Sequence, residues 1–263
     1  MRRRIALAAA ATLAAPALHA QPRGLRADQR LRCGAELALM ASGLARALQA
    51  AFGRDTGIAV QLLAAPATAL LASLRDGEVD CALCNAPEAE AVLEQQGLVH
   101  SRQRVATGAF LIVGPVGGAP FRSGTAAGVL AEIANGLADA ATPFLSPGDG
   151  SGVHLAEQRL WRLAGTAPQA AWHRAAAPGR DLLDQVRDGG AWAVVERGAW
   201  IAGGGGGRRT RIVAQGDAAL DEPVHAMRSF RSPHPAGRLW SSWIGGGRGR
   251  AAAGALPGYR RAA

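Results

Sequence analysis

The sequence contains no lysine: all 29 basic residues are arginine, against 20 acidic residues, and the formal net charge is +9 over 263 residues. A surface selected to bind phosphate recruits lysine and arginine together, because lysine serves phosphate as a point charge. The absence of lysine beside 35 glycines and many alanines indicates biased codon usage instead. We therefore expect no nucleic-acid partner. The glycine run at 203–207 is not a phosphate loop either, since no Lys-Ser or Lys-Thr follows it.

Cysteine is also scarce, with three residues, Cys33, Cys81 and Cys84. These are too few for a zinc site without further ligands at suitable spacing, and we expect no metal or cofactor. Cys81 and Cys84 lie in an apolar stretch that favours a buried strand, in which positions three apart point to opposite faces. We predict small core residues. The alternative is a disulfide between Cys33 and one of the pair, if their strands lie side by side.

Long apolar runs are missing except at the start of the chain. Arg2–Arg4 form a basic segment, Ile5–Leu18 is rich in Ala and Leu, and small residues follow. This layout is typical of a secretory signal peptide, and Pro16 with the short run disfavours a membrane span. We predict a signal peptide at residues 1–20, with cleavage after Ala20 or Ala17, and a periplasmic protein.

The rest of the chain alternates between short apolar runs and segments with apolar residues at helical spacing, and 49% of all residues are hydrophobic. This alternation indicates an α/β fold. The predicted strands are 31–33, 58–63, 79–84, 109–113, 143–145, 191–195, 211–214 and 224–227, with a further one starting at 172. The predicted helices are 42–52, 66–74, 88–96, 126–138, 154–163, 180–187 and 238–244.

The pattern restarts after Pro115, which suggests two lobes in series. We predict a first lobe at residues 21–115 and a second lobe at 116–200. Residues 201–263 then return to the first lobe and include a tail rich in glycine and arginine.

The most informative segment is 144–154, in which a strand runs into a glycine-rich turn and a helix begins near Ser151. Backbone N–H groups at a helix start carry partial positive charge and suit an anion, although an ordinary capped helix start has the same pattern. Ser151, His154 and Asp149 also allow an exported serine hydrolase. That alternative is weakened because no complete Gly-x-Ser-x-Gly elbow surrounds Ser151.

The order of motifs from Leu31 to Ile244 resembles the tungstate-binding periplasmic proteins of ABC transporters. The matching segments are 42–44, 77–80, 85–87, 110–115, 146–154, Trp161, Trp172 and 196–200. The Gly148–His154 segment is the most specific, close to the family's Gly-Asp-Asp-Ser-Gly-Thr-His. The resemblance implies a type II-like periplasmic-binding-protein fold, with a mixed sheet and flanking helices in each lobe and a cleft between the lobes.

The departures from the family fall on the ligand site. The resemblance implies a hydroxyl-rich turn after the first strand, where this chain has Ala35–Ala38 with Glu36 among them. The family has an arginine at the position of Pro147, and Arg180 is a candidate replacement cation. The ligand-binding residues expected from the second lobe are Ser146, Gly148, Asp149, Ser151, Gly152 and Arg180, and those from the first lobe are Glu36, Thr68 and Thr107.

The resemblance implies a monomeric solute-binding protein of an ABC-type uptake system, not an enzyme. It would capture a small solute, by resemblance an oxyanion such as tungstate or molybdate, and dock on an inner-membrane ABC permease. The alternative is a degenerate relative without transport, acting as a sensory or partner-binding module.

Overall fold

The computed structural model describes residues 30–117 and 120–262, so the predicted signal peptide lies outside the described residues. The strands are β1 (Leu31–Glu36), β2 (Val60–Ala65), β3 (Cys81–Cys84), β4 (Val99–Pro115), β5 (Phe144–Ser146), β6 (His173–Ala175), β7 (Ala193–Glu196), β8 (Thr210–Ala214), β9 (Asp221–Ser229) and β10 (Arg260–Arg261). The α-helices are α1 (Leu37–Ala41), α2 (Leu44–Thr56), α3 (Ala67–Asp76), α4 (Pro87–Gln95), α5 (Ala126–Glu132), α6 (Gly152–Leu163), α7 (Leu182–Gly189), α8 (Arg197–Ala202), α9 (Ala236–Ile244) and α10 (Gly247–Gly254). Among the described residues, no helix combines the length and hydrophobicity needed to cross a membrane.

The first lobe is built on a mixed sheet. Strands β2, β1 and β3 are parallel neighbours, β9 runs antiparallel to β3, and the first half of β4 pairs with β9. Strands β1 and β3 are almost completely buried, as expected for parallel strands with helices on both faces. Their carboxyl ends therefore meet at one edge of the sheet, where the loops after them are close together.

The second lobe uses the other half of β4, a strand of 17 residues. Ala109 still pairs with Asp221 of β9, whereas the next residue, Phe110, pairs with Glu196 of β7. Strand β8 also pairs with this half of β4, and the parallel pair β5 and β6 adjoins β7 through backbone hydrogen bonds at Trp192. The two-lobed α/β fold with a mixed sheet in each lobe is confirmed.

Strand pairing also locates the passage between the lobes. The change of partners lies inside β4 near residue 109, before the sequence-based division at 115. Strand β8 belongs to the second lobe, so the chain returns to the first lobe with β9 and not directly after residue 200. The reason is that β4 extends through both sheets, and a division drawn from apolar runs does not detect such a shared strand.

The three cysteines are free and buried. Cys33 on β1 is the direct neighbour of Cys81 on β3, and both belong to one apolar core, whereas Cys84 faces the core on the opposite side of the sheet. The predicted placement on opposite faces and in the core is confirmed. The alternative disulfide is not present in this structure.

Several elements differ from the sequence expectation, which did not include α1, α8 or β10. The first half of β4 was missed because residues 99–108 alternate irregularly and include charged side chains. Helix α10 lies in the glycine- and arginine-rich tail, where propensity alone does not favour a helix. The α-helix predicted at 126–138 ends at Glu132 and continues as a π-helical turn, Ile133–Leu137, in which the backbone at Gly136 leaves the helical region with a φ of 123°.

Candidate functional site

The two lobes meet where strands end and helices begin. Strand β1 ends at Glu36 and strand β3 ends just before Asn85, both in the first lobe. In the second lobe, β5 ends at Ser146 and β7 ends at Glu196. In open α/β sheets the carboxyl ends of strands form the crevice in which ligands bind. The edge where these four residues lie is therefore the candidate site.

The glycine-rich turn between β5 and α6 is held by its own side chains. Asp149 Oδ1 accepts a hydrogen bond from the Ser151 N–H at 2.9 Å, and Ser151 Oγ caps α6 by accepting from the His154 N–H at 3.2 Å. Gly148 and Gly150 have φ values of 66° and 75°, which favour glycine at both positions. The turn directs the first N–H groups of α6 towards the other lobe.

Glu36 lies opposite this helix start and is completely buried. Its Oε2 accepts from the Ala38 N–H at 2.7 Å and so caps α1, while its Oε1 accepts from the Gly152 N–H across the cleft at 2.9 Å. Burial raises the pKa of Glu36 to about 7, against the lowering effect of these N–H donors, and the charge of Asp149 adds to the increase. One carboxyl group of the chain thus joins helix starts from both lobes.

Further contacts bring the lobes together at the glycine-rich turn. The Thr68 N–H donates to the Gly150 carbonyl at 3.1 Å. A Cβ atom on Gly150 would lie 2.4 Å from Thr68 Oγ1, and one on Gly152 would lie 1.9 Å from Asn85 Oδ1. Both glycines are therefore required for this close approach, since no larger side chain fits without movement.

A cavity of about 250 Å³ remains beside these contacts. Glu36, Asp149, Ser151 and Arg180 of the predicted site line it together, along with Pro147. Apolar side chains form much of the rest of its wall, namely Leu37, Ala38, Ala41, Val153, Leu182, Leu183 and Val195. A cavity between lobes with a few polar groups on an apolar wall is typical of a site for a small molecule.

The remaining predicted site residues lie in different parts of the structure. Gly148 and Gly152 belong to the turn just described, and Ser146 is buried, with no hydrogen-bond partner for its hydroxyl among the described residues. Arg180 is 57% exposed and its guanidinium binds Asp188 at 2.9 Å, so its charge is already paired at the rim. Thr107 lies outside this cavity and lines a separate one of about 460 Å³ beside Trp200.

Glu196 and Glu222 form a pair of carboxyl groups at the passage between the lobes, and the sequence analysis did not include either residue in the site. The Glu196 carboxylate caps α8 through the Gly198 N–H at 2.6 Å and the Ala199 N–H at 2.5 Å. Glu222 is buried beside it and accepts from the Asn85 side-chain amide. Burial, and then the charge of Glu196, raise the pKa of Glu222 far above its usual range.

Gly108 makes room for this pair, because a Cβ atom there would lie 2.4 Å from Glu222 Oε2. No local pattern in the sequence indicates Glu222, because it lies far along the chain from the other site residues. It reaches the site only through the pairing of β9 with β4. In residues 30–117 and 120–262, no group of three His, Cys, Asp or Glu side chains is arranged to hold a metal ion.

The serine hydrolase alternative requires an imidazole that accepts a proton from Ser151. The His154 ring is engaged elsewhere: Nδ1 accepts from the Gly150 N–H at 3.0 Å, and Nε2 lies 3.0 Å from the Gln158 side-chain amide. The Ser151 hydroxyl caps α6 instead. The two side chains therefore stabilise the turn, and the geometry gives no support for a nucleophile and base.

Comparison with known proteins agrees with this architecture. The model for the PBP superfamily domain matches residues 38–218, and the chain belongs to this superfamily. A Haloferax volcanii protein, whose name assigns it to anion binding in an ABC transporter, is 32% identical over 164 residues, covering 61% of this chain and 47% of that protein. The tungstate-binding protein TupA of Peptoclostridium acidaminophilum is 27% identical over 162 residues, covering 61% and 57%. The chain thus spans about half the length of the curated relatives it matches.

Solved structures show the same fold over more of the chain. The tungstate ABC transporter structure from Geobacter sulfurreducens has a TM-score of 0.72 at 26% identity, covering 85% of this chain and 97% of that one. The tungstate-binding protein TupA from Desulfovibrio alaskensis has a TM-score of 0.71 at 24% identity, covering 89% and 98%. The family resemblance inferred from the motifs is confirmed.

Proposed function

We propose that this protein is the solute-binding component of an ABC-type uptake system in the periplasm. The observation that carries the proposal is the cavity of about 250 Å³ between the two lobes, lined by Glu36, Asp149, Ser151 and Arg180. The lobes would close on a small solute by movement about the two chain segments that connect them, one inside β4 near residue 109 and the other just before β9. The closed form would dock on a membrane permease. Membership of the PBP superfamily and the names of the relatives support this proposal.

The test is a thermal-shift and calorimetric screen of the purified protein with tungstate, molybdate, sulfate, phosphate, organic anions and amino acids. A solute at a hundredfold its Kd stabilises the folded state by about 2.7 kcal/mol, which is readily measured. If one class of solute raises the melting temperature and binds at one site, the proposal is supported. If no member of the panel does so, uptake of these solutes is not the function.

A matched pair of variants locates the bound solute. Ala41 is exposed, ends α1 and lines the cavity, so Ala41→Tyr places a ring in it. Ala202 is exposed and ends the similarly short α8, so Ala202→Tyr is the control. We expect Ala41→Tyr to abolish solute binding and Ala202→Tyr to preserve it.

One observation favours the alternative of a sensory or partner-binding module. The lobes already touch through Glu36 and the glycine-rich turn, so the closed arrangement does not require a solute. Such a module would bind a partner protein in this state. If the protein is such a module, no solute of the panel should raise its melting temperature. Its radius of gyration in small-angle scattering should also be the same with and without these solutes.

A further inference from the structure

The Glu36 carboxylate has the position and partners of a bound anion. It lies between the lobes, is excluded from water, and accepts one N–H from each lobe, at 2.7 Å from Ala38 and 2.9 Å from Gly152. Hydrogen bonds from N–H groups to a carboxylate are shorter and about twice as strong as neutral ones. The donors that would hold a free anion here are therefore already satisfied by the chain itself.

The surroundings of Glu36 are unfavourable to a second anion. Asp149 faces it from the turn of the second lobe, and the buried Glu222 and Glu196 lie on the side of β9 and β7. Arg180 is the cation among the residues that line the cavity, and it is paired with Asp188. A dianion entering this cavity would meet repulsion at short range, while the Ala38 and Gly152 N–H groups that could offset its loss of hydration already bind Glu36.

We infer that Glu36 is a specificity-determining residue that takes the place of a bound oxyanion and excludes tungstate, molybdate and sulfate from the site. This inference rests on the proposed function, and it narrows the solute class to molecules without an anionic group at this position. A side chain attached to β1 competes at a high effective concentration, because its binding is intramolecular. A free oxyanion would have to displace it and leave a carboxylate without its donors.

Two substitutions separate the charge of Glu36 from the space it fills. Glu36→Ser removes the carboxylate and opens the space, while serine keeps an oxygen that caps α1, since it is a favoured residue at a helix start. Glu36→Gln has nearly the same volume, so it fills the same space without the charge. Isothermal titration of both variants and of the wild-type protein with sodium tungstate and sodium sulfate tests the inference, and circular dichroism verifies that each variant is folded.

We expect the wild-type protein and Glu36→Gln to bind neither anion measurably. Glu36→Ser should bind tungstate at least ~10-fold more tightly than the wild type, which corresponds to the gain of one charge-assisted hydrogen bond, from the Gly152 N–H. Sodium acetate should compete with tungstate in Glu36→Ser, because a free carboxylate fits the same donors. A Glu36→Ser protein that is folded and binds tungstate no better than the wild type would overturn the inference.

The wild-type measurement stands independently of the variants. If the wild-type protein binds tungstate with micromolar affinity, the role of Glu36 is overturned, while the proposed solute-binding function is supported. If it binds an amine or a neutral solute from the panel but no oxyanion, both are supported. If it binds nothing while Glu36→Ser binds tungstate, the role of Glu36 is supported and the proposed function of the natural protein fails.

Discussion

The two turns that face each other across the cleft have opposite chemistry. The second-lobe turn, residues 146–152, has no charged side chain near its donors except Asp149, and it directs the N–H groups of α6 outward. The first-lobe turn has Glu36, whose carboxylate reaches across to those donors. The second lobe has the N–H donors of an anion site, and the first lobe supplies the anion, which is the Glu36 carboxylate. A glycine-rich turn in the second lobe therefore does not by itself define the ligand, because the facing first lobe supplies the group that binds its N–H donors.

The largest loss of stability should come from filling the space that allows the two turns to contact each other. Gly152→Ala places a Cβ atom 1.9 Å from Asn85 Oδ1, so the lobes must separate or the Asn85 amide must move away from Glu222. We expect a loss of about 2–4 kcal/mol in the free energy of unfolding. Chemical denaturation of the variant and the wild type measures it.

The matched control is Gly247→Ala. Gly247 is the first residue of α10, as Gly152 is of α6, and the nearest atom to an added Cβ there lies 3.8 Å away. We expect a change near zero or a slight stabilisation, since alanine favours the helix. Equal losses in the two variants would mean that helix-start glycines matter in general and that the contact with Asn85 does not.

The next effect concerns the charge in the first-lobe turn. Burial raises the pKa of Glu36 to about 7 in the folded protein, from 4.5. The folded state therefore keeps this proton to higher pH than the unfolded state does. The contribution of Glu36 to the free energy of unfolding is greatest below the unfolded pKa and falls by about 3 kcal/mol as pH rises to about 7.

Glu36→Gln removes this titration but keeps the side-chain volume. Denaturation at about pH 5 and about pH 8 should therefore show a smaller loss of stability with rising pH in the variant than in the wild type. The raised pKa values of Glu196 and Glu222 act in the same direction in both proteins. The charge of Glu36 contributes to the raised pKa of Glu222, so its removal reduces the loss of stability with rising pH further. Identical pH profiles would contradict the buried, bridging placement of Glu36.

A smaller effect should follow from loosening the second-lobe turn. Ser151→Ala removes the oxygen that caps α6 and should cost about 1 kcal/mol in the free energy of unfolding. Ser242→Ala, at an exposed position within α9, is the control and should change stability by less than about 0.5 kcal/mol. If the two variants behave alike, the Ser151 cap does not hold the turn.

The smallest effect is expected at the rim of the cleft. Arg180→Ala breaks an exposed ion pair with Asp188, and such pairs contribute about 0–1 kcal/mol. A double-mutant cycle with Asp188→Ala measures the coupling directly. A coupling energy well above this range would mean that the pair holds α7 and the adjoining wall of the cavity in place. The exposed pair at the rim would then stabilise the site as the buried Glu36 carboxylate does.

Local patterns in the sequence predicted the glycine-rich turn and four of the residues that line the cavity. Glu36, Asp149, Ser151 and Arg180 come together because each follows a strand end or begins a helix, which are features of a few adjacent residues. Thr107 lines a different cavity, and the face of β4 on which it lies depends on strand register. The bulges in the pairing of β4 with β9 shift that register, and a sequence pattern does not record them.

The sequence by itself therefore determined the class of fold and the presence of an N–H-rich turn, since both depend on short-range hydrogen bonding and on the period of apolar residues. Only the tertiary structure decided that Glu36 reaches the start of α6, and that Glu222 is buried beside Glu196. The reason is that these contacts join residues more than a hundred positions apart in one case and on separate strands in the other. Such contacts arise because β4 extends through both sheets and β9 pairs with its first half, and they decide which charge lies at the site.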